Sequence, residues 1–180
     1  MGGVDKAFVP LAGSSLLSHV IARFAPQVEG LALSANGDAS RFATFGLPVL
    51  PDVGSSGPLS GILSALIWGA SKGATAVVSV PVDGPFLPPD LVPRLCLAAE
   101  GAGLALAASQ GDTHPTFGLW PVTLAPPLAA FLASGAKARV RDFAAAHGAA
   151  LAVFQDPLAF ANANTPEDIA RFAGLLERTS

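Results

Sequence analysis

Cysteine is almost absent from this 180-residue chain: Cys96 stands alone, which excludes an intrachain disulfide and any zinc site built from cysteines. Its neighbours Leu95 and Leu97 predict a buried, inert thiol. Charge is scarce too. Asp, Glu, Lys and Arg make up 13% of the residues and sum to a net charge of −3, about half the usual charged share. That excludes a basic nucleic-acid surface and an acidic disordered tail. Apolar residues reach 51%, so membrane insertion needs a separate test. The longest uncharged runs, Val53 to Ser71 and Thr113 to Ala136, both fail as spans. The first is interrupted by Gly54, Gly57 and Pro58 and the second by Pro115, Pro121, Pro126 and Pro127. No basic segment followed by an apolar run succeeds Met1, so the chain reads as cytoplasmic. Internal repeats are missing, and the length suits one domain over 1–180.

What is present is an alternation of strand and helix signals, predicting a three-layer α/β domain with a mostly parallel sheet. Ala76 to Val80 is short, β-branched and without polar alternation, as in a strand buried on both faces. Gly30 to Asn36, Leu47 to Leu50, Leu104 to Ala108, Phe117 to Trp120 and Leu151 to Phe154 read as further strands. Helices are predicted from Leu16 to Phe24, Leu59 to about Lys72, Pro88 to Ala98, Pro127 to Ser134, Ala136 to His147, and from Pro166. Pro93 fits the third of these only if that helix begins late enough to keep the proline in its first turn.

Three polar side chains follow strands: Asn36, Asp52 and Asp83. In open α/β sheets the carboxyl edge is where ligands bind, and a carboxylate there suits a metal that carries phosphate oxygens. Asp83 could equally shape a turn with Gly84 and Pro85. Gly2, Gly3 and Lys6 form a glycine-bearing loop ending in a cation, suited to phosphate or else a frayed terminus. His114, beside Pro115, either fills a polar turn spanning GDTHPT or points into a site. Lys137, Arg139 and Arg141 fall near a helix start, where the dipole does not reward cations; an anionic ligand and a solvated face both account for them. Thr165, Pro166, Glu167 and Asp168 mark a helix start, preceded by the hydrogen-bonding pair Asn162 and Asn164.

MGGVDK at 1–6, VLPD with GPLSGI at 49–62, VPVDGPFLPPDL at 80–91, HPT at 114–116 and NANTPEDI at 162–169 together resemble the molybdenum cofactor guanylyltransferases. Asp5 before Lys6 favours the guanylyl branch over the similar cytidylyl and sugar nucleotidyltransferases. The resemblance implies a Rossmann-like nucleotidyltransferase fold and Mg2+-dependent transfer of GMP from GTP to the phosphate of molybdopterin, with release of pyrophosphate. It implies that Gly2, Gly3, Lys6, Asn36, Asp52 and Asp83 bind nucleotide, with Lys6 on the phosphates and Asp83 on the metal. His114, Arg139, Asn162 and Asn164, in the C-terminal half, would receive the pterin. Molybdoenzymes or their chaperones would be the downstream partners.

Two departures stand out. Gly84 occupies a position where the family commonly has threonine, and Ala138 precedes Arg139 where an arginine pair is usual. Members of the family also carry a strand and an LAGG loop before MGG, so the resemblance implies a sheet without its first strand and weak or absent GTP turnover for the chain as it begins at Met1. The alternatives are a CTP-dependent molybdopterin or sugar nucleotidyltransferase, and a truncated, non-catalytic domain that binds the cofactor or a partner.

Overall fold

The computed structural model describes residues 5–53, 57–135 and 139–178. The first described element is a 3-10 turn, Lys6–Phe8, whose N-cap Asp5 accepts the Ala7 amide at 3.0 Å. A hairpin of β1 (Pro10–Leu11) and β2 (Ser14–Ser15) leads into helix α1 (Leu16–Phe24), capped by the Ser15 hydroxyl. β3 (Leu33–Ser34) and β4 (Val49–Leu50) pair in parallel on either side of another 3-10 stretch, Ala39–Phe45. Both strands are shorter than the sequence suggested.

Helix α2 (Pro58–Ser71) starts where it was expected. Gly57 turns the chain at φ 86° and Pro58 takes the first helical position, where its missing N–H costs nothing.

The main sheet has the order β5-β7-β6-β8, formed by β5 (Ala76–Ser79), β6 (Ala105–Ser109), β7 (Asp112–Pro121) and β8 (Ala150–Phe154). β7 runs against both neighbours, while β6 and β8 are parallel. The expected mostly parallel sheet is therefore mixed. The cause is the tight turn at Gln110 and Gly111, both at positive φ (50° and 84°), which makes β6 and β7 a hairpin and forces antiparallel pairing. Among the described residues β5 has a strand partner on one side only, and all its residues are half-buried. The sequence pattern had suggested fuller burial.

Helices cover both faces. On one, Ala105, Ala107, Phe117, Ala152 and Phe154 pack with Val20 and Phe24 of α1 and with Leu91 and Leu95 of α3 (Leu91–Ala99). On the other, Leu104, Leu106 and Trp120 pack with α2, with Leu128 of α4 (Ala125–Ala133) and with Val140 and Phe143 of α5 (Val140–Ala146). Pro93 lies in the first turn of α3 and is tolerated there. Because Leu91 and Leu95 take the buried face, Cys96 and Leu97 point away from it: Cys96 is exposed and Leu97 is 68% exposed, contrary to the burial expected of the thiol. Helix α5 spans Val140–Ala146, and the start expected at Ala136 lies outside the described residues. Arg139 is its extended N-cap, and the helix starts at Val140, which is buried with Phe143 and Ala144. Residues 136–138, including Lys137, and the glycines Gly2 and Gly3 lie outside the described residues. Helix α6 (Pro166–Glu177) closes the fold.

Direction positions the site. β5, β6 and β8 point the same way, so their carboxyl ends share one sheet edge. Two glycines of α2 set its approach to the strands: a Cβ at Gly61 would meet Ser34 Oγ at 2.5 Å, and one at Gly69 would meet Val77 Cγ2 at 2.6 Å. The start of α2 thus lies at the carboxyl end of β3 and its end beside β5. β5 returns along the helix, bringing Asp83 out on the side where Asn36 and Asp52 emerge.

Candidate functional site

Asp83 follows β5 in a tight turn in which the Gly84 amide donates to the Pro81 carbonyl at 3.3 Å. Its own carbonyl accepts the Ala163 amide at 2.8 Å, which draws the segment Asn162–Asn164 alongside it. Ala163 is buried and the two asparagines on either side are exposed. Lys6 then reaches in from the first turn: its Nζ lies 2.9 Å from Asp83 Oδ2 and also donates to Asn164 Oδ1. The Asp83 side chain is 17% exposed, so the pair is better shielded than an ordinary surface ion pair.

Asn164 is itself held. The Asp168 carboxylate accepts the amides of Asn164 and Thr165 at 3.1 and 3.0 Å, as part of a capping box in which the Thr165 hydroxyl accepts the Asp168 amide. Those bonds, the Thr165 amide foremost, hold the Asp168 carboxyl below the usual carboxylate range. The helix-start pattern was readable in the sequence; its use in orienting Asn164 was not.

A second cluster lies at the ends of β3 and β4. Asn36 and Asp52 bond reciprocally: Asn36 Nδ2 donates to Asp52 Oδ2 at 2.8 Å and the Asp52 amide donates to Asn36 Oδ1 at 3.0 Å. Ser34, unremarked in the sequence, donates its hydroxyl to Asp52 Oδ1 at 2.9 Å. The absent Cβ of Gly61 leaves room for that hydroxyl. No side-chain hydrogen bond or ion pair joins this cluster directly to Lys6 among the described residues.

His114 does not sit in a turn but within β7. The register between β6 and β7 shifts between Leu106 and Ala107, whose partners are Gly118 and His114. Pro115, which has no N–H for the ladder, falls inside that irregularity, where proline is tolerated. The freed Thr116 carbonyl accepts the Ser79 hydroxyl at 2.9 Å. His114 Nε2 is 2.7 Å from Ser109 Oγ, and its ring stacks on buried Phe160 at 4.5 Å between centroids. Partial burial lowers its pKa, against the opposing pull of Asp112. His114 therefore shares the sheet edge with Asp83 but is not bonded to Lys6, Asp83 or Asn164. Arg139 caps α5 and, among the described residues, makes no hydrogen bond or ion pair with any other site residue; Asn162 makes none either.

The donor set suits a divalent cation in one way only. No group of three His, Cys, Asp or Glu side chains converges among the described residues. Asp83 is thus a lone carboxylate, the arrangement used when substrate phosphates and water complete the shell of Mg2+.

Comparison with known proteins shows the family. A family model, the MobA-like NTP transferase domain, matches residues 1–151. A molybdenum cofactor guanylyltransferase of Cereibacter sphaeroides is 57% identical over 178 residues, covering 99% of this chain and 91% of the relative. The chain belongs to the molybdenum cofactor guanylyltransferase family. Among solved structures, molybdopterin-guanine dinucleotide biosynthesis protein A of Archaeoglobus fulgidus matches with a TM-score of 0.73 at 19% identity, covering 98% of this chain and 92% of that one. A Mycobacterium tuberculosis protein solved in complex with manganese matches at 0.70 and 18%, covering 96% of this chain and 93% of that one. At those identities the structures show the fold alone, a nucleotidyltransferase-like α/β fold. In this member of the guanylyltransferase family no described helix is long and apolar enough to cross a membrane.

Proposed function

We propose that the chain transfers GMP from GTP to the terminal phosphate of molybdopterin. A phosphate monoester oxygen of the acceptor attacks the α-phosphorus, the bond from that phosphorus to the bridging oxygen breaks, and pyrophosphate leaves. The attacking oxygen is already ionised at neutral pH, so no general base is required. The observation that carries the reading, beside family membership, is the convergence of Lys6, Asp83 and Asn164 from the two ends and the middle of the chain.

Lys6 supplies positive charge to the phosphates. Asn36 and Asp52 hold the nucleoside. Asp83 is the residue that would hold Mg2+, which when bound supplies charge neutralisation at the α-phosphate. The remaining work is alignment. Gly2 and Gly3, outside the described residues, would bind the nucleotide together with Lys6. His114, Arg139, Asn162 and Asn164 form the acceptor side, so the N-terminal half binds nucleotide and the C-terminal half binds pterin within one domain. The product would pass to molybdoenzymes or their chaperones in the cytoplasm.

The test offers GTP and CTP in competition, with molybdopterin and Mg2+, and follows pyrophosphate release together with the nucleotide incorporated. Incorporation of GMP supports the proposal. Preference for CTP moves the protein to the cytidylyl reading, and failure of transfer with both leaves a binding domain.

A further inference from the structure

The Asn36–Asp52 cluster and the Lys6–Asp83 pair belong to different segments, yet one side chain bonds both to the first and to the N-cap of the turn that carries Lys6. Arg41, in the 3-10 stretch Ala39–Phe45, donates Nη2 to the Asn36 carbonyl at 2.8 Å. Its Nη1 lies 3.2 Å from Asp5 Oδ2. The other oxygen of Asp5 accepts the Ala7 amide at 3.0 Å and so caps the turn that carries Lys6. The guanidinium is supported from below: it lies 4.6 Å from the centroid of buried Phe42, whose ring stacks at 5.3 Å on Phe8, the last residue of that same turn.

We infer that Arg41 is a positioning residue that sets the separation between the nucleoside end and the phosphate end of the nucleotide site. The inference deepens the guanylyltransferase reading and rests on it. The physical reason is the fork of the guanidinium: two nitrogens in fixed geometry tie two segments together, whereas an ammonium is a single point of charge. Arg41 and Asp5 are 39% and 35% exposed, so their ion pair contributes little to folding stability. Its effect falls on geometry, to which an in-line displacement is sensitive.

Arg41→Met and Arg41→Lys are compared with the unsubstituted protein by thermal unfolding, by kcat and KM for GTP, and by the rate at which Lys6 is acylated by an amine reagent. Labelling is read by peptide mass spectrometry, with exposed Lys72 at the end of α2 as internal reference. Arg41→Met is expected to leave the melting temperature nearly unchanged, to speed labelling of Lys6 relative to Lys72 and to lower kcat/KM about tenfold. Arg41→Lys keeps the charge beside Asp5 and should return Lys6 labelling toward that of the parent, while kcat/KM stays depressed because Asn36 is no longer held. Unchanged labelling and kcat/KM in Arg41→Met would overturn the inference. Full recovery of kcat/KM by Arg41→Lys would also overturn it, since charge alone would then suffice. If the parent protein transfers no nucleotide, the guanylyltransferase reading fails first, and Lys6 labelling still decides whether Arg41 governs the turn.

Discussion

Lys6 Nζ and Asp83 Oδ2 lie 2.9 Å apart although 77 positions separate them in the chain. The carboxylate proposed to meet the metal and the ammonium proposed to meet the phosphates neutralise each other. Asp83→Asn tests the metal assignment directly. The substitution keeps the shape and leaves the main-chain bond from Ala163 to the Asp83 carbonyl in place, so the melting temperature should change little. Metal-dependent GMP transfer should fall by a factor on the order of 10² to 10³, as when one charge-stabilising group is removed from a preorganised site. Retained transfer would remove Asp83 from the metal assignment.

Gly84 departs from the threonine common in the family, and Phe117 supplies the reason. A Cβ at Gly84 would meet Phe117 Cζ at 2.6 Å. Phe117 cannot swing aside, because it is fully buried and set edge-on against His114 and Phe160. Gly84→Thr alone should therefore destabilise the protein by about 1–3 kcal/mol, the usual cost of overpacking. Combining it with Phe117→Ile should recover most of that loss. A double-mutant cycle by chemical denaturation measures the coupling, and additive effects would show that the two side chains do not compete for one space.

Local signals were legible and long-range ones were not. Gly57 with Pro58, and Thr165 with Asp168, announced helix starts because capping depends on neighbours a few residues away. The apolar runs at β6 and β8 and the acid after β5 were readable for the same reason. The direction of β7 was hidden, since Phe117 to Trp120 looks alike in a parallel or an antiparallel ladder and the irregularity around Pro115 has no sequence mark beyond the proline. Equally hidden was the pairing of Lys6 with Asn164, 158 positions away. The resemblance to a family named the site residues, but it did not reveal that Asp168 orients Asn164 or that Ser34 supports Asp52.

His114 gives a pH dependence with a definite sign. Its burial lowers the folded-state pKa below the ordinary histidine value of about 6.5. The unfolded chain therefore binds more protons, and stability rises with pH through this region. The contribution is complete above the unfolded value and is lost as pH falls below it, until the folded form is protonated too. Unfolding free energy measured between pH 7.5 and 5.5 should decline more steeply in the parent than in His114→Gln. Parallel curves would mean that His114 is not the group responsible.

Asn36 and Asp52 allow a charge test of the nucleoside side. In the native pair, Asn36 donates one hydrogen to the Asp52 carboxylate and accepts one from the Asp52 amide. Asn36→Asp preserves the acceptor but replaces the donor with a second carboxylate, so two like charges face each other at hydrogen-bond distance. At neutral pH the variant should lose about 1–2 kcal/mol of stability, one hydrogen bond exchanged for a repulsion. Lowering the pH protonates one of the two carboxylates and restores a donor, so the deficit relative to the parent should shrink as the solution is acidified. KM for GTP should rise at neutral pH, with kcat less affected, because the substitution lies away from the phosphates. A constant deficit across pH would show that the loss comes from packing and not from charge, and an unchanged KM would take the pair out of nucleotide binding.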